Sequence, residues 1–115
     1  MAYSIELEKR INQALSLFPD SVRDEFGPKK MFGGIAYLYR GKMTVGIVKN
    51  DLMVRVVAEK MPSILNRDEV RPMDFTNRPM KEFIYVSQKG FESEEQLMFW
   101  IELGLEHAQR KLNQA

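Results

Sequence analysis

Few of the side chains that ordinarily carry chemistry are present, and those few are poorly spaced for it. The 115-residue chain has no cysteine, which removes disulfides, thiolate metal ligands and thiol nucleophiles together. His107 is the single histidine. A metal-binding helix sets a second ligand three or four residues away, but Leu103, Gly104, Arg110 and Lys111 occupy those positions around His107. Only a serine and a carboxylate brought from far along the chain would build a nucleophilic triad on it. In the last turns of a helix a histidine complements the negative end of the dipole, so that role or plain solvent exposure is the expectation for His107. Glu94, Glu95, Glu102 and Glu106 fall on the first turns and outer face of a helix, which makes a solvated face rather than an acid/base dyad. Gly34 to Met43 reads Gly, six residues, then Gly-Lys-Met, where a phosphate-binding loop needs four intervening residues and a Ser or Thr after the Lys. No catalytic, cofactor-binding or metal-binding residue is assigned, and no cofactor or metal is expected.

What remains is cationic. Arg55 sits between Val54 and Val56 in a strand pattern and points opposite to them, toward a turn that carries Arg78 and Lys81. Arg55, Arg78 and Lys81 are the candidate contacts for a small anion or a partner, an ion pair of Arg55 with Asp74 being the plainer expectation. The stretch from Lys29 to Lys81 holds 11 basic and 5 acidic side chains, against 6 and 11 elsewhere. Such asymmetry suits an anionic partner, although Lys and Arg along solvated strand edges also resist aggregation. Phe32, Tyr37 and Tyr39 interleave with Lys29, Lys30, Arg40 and Lys42 as on a platform for single-stranded nucleic acid. The RNA-recognition consensus is absent, and the two tyrosines suit a packing face equally well.

The elements that must position these residues follow from periodicity. With 44% hydrophobic and 29% charged residues, the composition is that of one folded domain over residues 1–115. No apolar stretch approaches the ~20 residues of a membrane span and the N-terminus is charged, so a cytoplasmic protein is expected. Leu7, Ile11, Ala14, Leu15 and Phe18 recur at helical spacing before Pro19, and Asp20 to Phe26 allows one more helical turn before Gly27-Pro28. Met31–Tyr39, Met43–Lys49 and Leu52–Val57 read as an antiparallel meander joined by Arg40-Gly41-Lys42 and Asn50-Asp51. The first of these strands is apolar on both faces, with Met31, Ile35, Tyr37 and Tyr39 on one and Phe32, Ala36 and Leu38 on the other. Gly33-Gly34 marks a bulge or a close backbone approach. Pro62 starts a short helix, and Met73–Phe75 and Phe83–Val86 are strands separated by a turn at Thr76 to Pro79. Ser93-Glu94-Glu95-Gln96 is a capping box ahead of an apolar stripe through Leu97, Ile101, Gly104, Leu105, Ala108 and Leu112, with Gly104 admitting a close neighbour. The order is α-β-β-β-α-β-β-α, an α+β fold.

Met31-Phe32-Gly33-Gly34-Ile35-Ala36-Tyr37-Leu38, Gly41-Lys42-Met43, Leu52 to Arg55 and Phe75-Thr76-Asn77-Arg78-Pro79-Met80-Lys81 together resemble the N-terminal domain of the TfoX/Sxy family, regulators of bacterial competence. The resemblance runs from about Arg23 to the C-terminal helix. It implies a five-stranded, mainly antiparallel sheet flanked by helices, and it implies no reaction or cofactor. Full-length members carry a second helical domain, so the chain is expected to be a stand-alone form of the first.

Two functions follow as expectations. The first is a non-enzymatic regulatory or adaptor domain that binds an unknown protein partner, linked through the resemblance to transcriptional or competence regulation. The alternative is an auxiliary nucleic-acid-binding module using the basic 29–81 segment. No membrane partner is expected. A homodimer is, through a sheet face or edge, because two long helices and a short one are scant cover for a strand with two apolar faces.

Overall fold

The computed structural model describes residues 3–31, 33–75 and 78–113, without the side chains of residues 31, 73–75 and 78–81. Ser4 caps helix α1 (Ile5–Leu15), its hydroxyl accepting from the Leu7 amide at 3.1 Å, and Leu7, Ile11, Ala14 and Leu15 are buried at the expected spacing. Pro19 separates α1 from a single turn, α2 (Asp20–Arg23). Six strands follow: β1 (Phe26–Met31), β2 (Gly34–Tyr39), β3 (Lys42–Val48), β4 (Asp51–Arg55), β5 (Val70–Phe75) and β6 (Arg78–Val86). A 3-10 turn and α3 (Met61–Leu65), with Pro62 in its first turn, link β4 to β5. Helix α4 (Glu94–Asn113) closes the order. Its capping box is formed, with the Gln96 amide 3.1 Å from Ser93 Oγ and the Ser93 amide 2.9 Å from Gln96 Oε1.

All neighbouring strands are antiparallel, in the order β1-β2-β3-β4-β6-β5. The α+β architecture is as the sequence implies, with one strand more than five. The additional strand is β1, which contains the Gly27-Pro28 pair that reads as punctuation. At a sheet edge a proline removes no needed donor, and Pro28 lies opposite Tyr37 in register. Pro72 lies in β5, the opposite edge, so both margins resist pairing with another strand. Arg40 and Gly41 have φ of 51° and 84°, the primed two-residue turn that suits the twist of the β2-β3 hairpin.

The helices lie on one face of the sheet. Ile35, Tyr37, Val45, Ile47, Leu52, Val54, Ile84 and Val86 form one core with Leu7, Ile11 and Leu15 of α1, Ile64 of α3, and Leu97, Trp100 and Ile101 of α4. Each fully buried large side chain in it contributes about 1.5–3 kcal/mol. The indole of Trp100 donates to the Gly90 carbonyl at 2.8 Å, which satisfies its one polar atom. Arg10 ties the two long helices, donating to the Phe91 carbonyl at 2.6 Å and pairing with Glu94 at 2.9 Å. The tyrosines weighed as a nucleic-acid platform belong to this inner face: Tyr37 is 1% and Tyr39 8% exposed.

Helix α4 crosses β3 where the sheet is irregular. A bulge lies between Tyr37 and Leu38 opposite Thr44, whose hydroxyl donates to the Tyr37 carbonyl at 2.8 Å. A Cβ on Gly104 would stand 2.4 Å from the Thr44 carbonyl oxygen, so only glycine lets the helix settle at this depth. In an exposed helix Gly→Ala gains about 1 kcal/mol. Here Gly104→Ala should instead lower stability by about 1–3 kcal/mol, as overpacking does, measured as a shift to lower temperature of the thermal transition. An unchanged or raised transition would contradict the contact.

Candidate functional site

Among the described residues no helix lies on the other face of the sheet. Strand alternation sends Ala36 and Leu38 there from β2, opposite to Ile35, Tyr37 and Tyr39, and register carries the set across the sheet: Leu38 faces Met43, Ala36 faces Gly46, Gly46 faces Met53, Met53 faces Tyr85 and Arg55 faces Phe83. Ala36, Met53 and Phe83 are buried against half-buried Leu38, Met43 and Tyr85. This second, small apolar cluster is separate from the helix-side core.

Cations flank it. The Arg55 guanidinium lies 4.2 Å over the Phe83 ring and that of Arg71 4.8 Å over Tyr85, a cation-π arrangement in which the ring face draws the charge down onto the sheet. Arg71 also pairs with Asp51. Lys29, exposed, stands opposite Ala36 on β1. Arg55 Nε is buried and has no hydrogen-bond partner among the described residues. Burial draws the Arg55 guanidinium below its ordinary range, and the nearby Glu82 carboxylate opposes that. Of the three cations singled out in the sequence, Arg55 is thus placed at the margin of the apolar cluster. Arg78 and Lys81 lie along β6, but their side chains, and that of Asp74, are outside the described residues. Phe32, Thr76 and Asn77 are outside them altogether.

Behind Arg55, on the helix side, is a pair that the sequence does not announce. Glu82 adopts a left-handed backbone (φ 65°), a conformation uncommon for a side-chain-bearing residue, and its carbonyl accepts from Val56 at 2.9 Å. Its carboxylate lies 2.7 Å from His107 Nε2. His107 is 3% exposed, so the expected solvent-facing or dipole-capping histidine is instead a buried one. Glu82 and His107 are 25 positions apart, and the sequence between them carries no pattern that would join them. Burial first holds the imidazole below its ordinary value of 6.5, with Arg55 and Lys111 acting the same way and Glu82 opposing. The hydrogen bond from His107 leads in holding Glu82 below 4.5. The pair is therefore neutral imidazole donating to carboxylate. Such a pair orients a base in triads, but this imidazole is enclosed and its Nε2 is already engaged, so it fastens α4 to β6. Among the described residues no three His, Asp or Glu side chains converge as a metal site would require, and no helix is long and apolar enough to cross a membrane.

The described residues thus form an open antiparallel sheet with their helices on one face and an arginine-flanked apolar strip on the other, an α+β domain. The family model of the TfoX N-terminal domain matches residues 21–108, and the chain belongs to that family, which is linked to competence regulation and is not known as a family of enzymes. Comparison with curated proteins gives no match.

Both shifts in this part-buried pair run downward, so on acidification the unfolded chain takes up these protons before the folded one. The stability they supply is complete above about pH 6.5 and declines below it as unfolded His107 protonates, then further below about 4.5 through Glu82. The midpoint of thermal unfolding should fall from pH 7 to 5 by more in the wild type than in His107→Gln, which keeps a donor without titrating; equal slopes would contradict the assignment.

Proposed function

We propose that the chain is a non-enzymatic regulatory or adaptor domain that acts by binding another protein through its helix-free sheet face, in the regulatory setting its family suggests. The observation that carries this reading is the strip of Leu38, Met43, Met53, Phe83 and Tyr85 lying outside the helix-covered core. Apolar centres with polar, arginine-bearing margins are the usual anatomy of protein interfaces, and Arg55 and Arg71 supply such margins here. The enclosure of the only imidazole supports a role without catalysis.

A second copy is one partner this face would accept. Pro28 and Pro72 on the two edge strands disfavour association edge to edge, so a homodimer would form face to face about a two-fold axis. Nucleic acid is the competing reading, favoured by Lys29, Arg55 and Arg71 on the same face, but the buried positions of Tyr37 and Tyr39 remove two of the rings that would stack on bases.

Affinity purification of the full chain from its source cells, followed by light scattering and mobility-shift assays, distinguishes these. A discrete protein, or a second copy by mass, should accompany the wild type and be lost from a Leu38→Glu, Met43→Glu variant that still unfolds cooperatively. Binding to single- or double-stranded probes that collapses with added salt, without any protein partner, would overturn the proposal.

A further inference from the structure

On the helix side, α1 and α4 leave a groove of about 740 Å³ between them. Ala14 and Leu17 wall it at the end of α1, Met98 and Phe99 on α4. Leu17 is 77% and Phe99 41% exposed, so two large apolar side chains stand at its lips uncovered. Glu94, Glu95 and Glu102 rim it. Arg10 engages Glu94, while Glu95 and Glu102 have no ion-pair partner among the described residues. Arg67 rests 5.2 Å over Phe99 and is itself paired with Glu69 at 2.8 Å. Beyond Phe99 and Glu102 a second hollow continues to Lys60 and Glu106, where Lys60 and Arg110 neutralise Glu106. Along the groove and its continuation, the carboxylates without an ion pair among the described residues are thus the two beside the exposed apolar lips. The α1 wall precedes the residues matched by the family model, so the groove is not contained in the matched part of the chain.

We infer that this groove docks a basic amphipathic helix of another protein, its apolar side chains seated between Leu17 and Phe99 and its lysines or arginines against Glu95 and Glu102. The walls are the end of α1 and the first turns of α4, not strands, so an extended peptide would find no strand edge to join, whereas a helix brings its own backbone bonds and needs only apolar anchors and charge complementarity. A second copy of the chain does not supply such an element, because the apolar faces of its own long helices are spent on the core. The inference stands independently of the sheet-face proposal, since the two surfaces lie on opposite sides of the sheet.

The test is a titration of the isotopically labelled full chain with two synthetic amphipathic helical peptides that share their leucine positions, one with lysine and the other with glutamate at the polar positions. The lysine peptide should shift amide signals of residues 13–17 and 94–102, weaken with added salt, and bind Phe99→Ala or Glu102→Lys about tenfold less tightly or worse. Both substitutions are on the surface, and an unchanged thermal transition confirms that each variant is folded. No response to excess lysine peptide, equal binding of both peptides, or shifts confined to the helix-free face would each overturn the inference.

Discussion

The contact on which the rest of the molecule depends is the crossing of α4 over β3, where Gly104 lets the helix backbone come down onto the Thr44 carbonyl. A helix seated that deeply at the centre of a six-stranded sheet claims the middle of one face. Arg10 then holds α1 beside it through the Phe91 carbonyl and Glu94. Both long amphipathic helices are consumed on a single face, and α3 joins them through Ile64. The helix-free face and the groove between α1 and α4 are two consequences of the same arrangement: one is the surface the helices do not reach, the other the seam where they fail to meet.

Strand β6 shows how one backbone irregularity separates structural from surface roles. The left-handed Glu82 sends its carboxylate to the helix side, where His107 meets it, while the next residue, Phe83, turns to the helix-free face beneath Arg55. Burial decides the chemistry on each side. The imidazole is kept neutral and enclosed, and becomes a fastening between helix and sheet. The guanidinium is only partly desolvated and lies on an aromatic ring, which leaves it at the rim of an apolar surface. Residues that would look reactive in the sequence are thereby divided between a fastening inside the fold and the margin of an open surface.

Much of the element order is legible in the sequence because it rests on local rules: the capping box at Ser93 and Gln96, Pro62 at the start of α3, the apolar spacing of α1 and the Arg40-Gly41 turn each act within a few residues. The strand β1 escapes because Gly27-Pro28 is a local break whose meaning depends on lying at a sheet edge. His107 escapes because its partner arrives from another strand. Alternation in β2 correctly separates Ile35 and Tyr37 from Ala36 and Leu38, but period-two patterning cannot say which face receives the helices when both are apolar. The depth of α4 over Thr44 makes that choice, and with it the identity of the open face. The acidic stripe of α4 reads as an ordinary solvated face, since its apolar companion, Leu17, comes from the turn that follows a different helix, α1.

In the function proposed, regulation is a matter of surfaces, with the helix-free face as the principal one and half-buried Leu38 part of its apolar strip. A photo-crosslinking amino acid placed at position 38 of the full chain and activated in the source cells tests that most directly. The account predicts a discrete protein adduct, either a partner or a second copy, that is absent when the same group replaces exposed Gln109 of α4, on the helix side of the sheet and outside the groove. Adducts to nucleic acid alone, or no adduct at position 38, would contradict it.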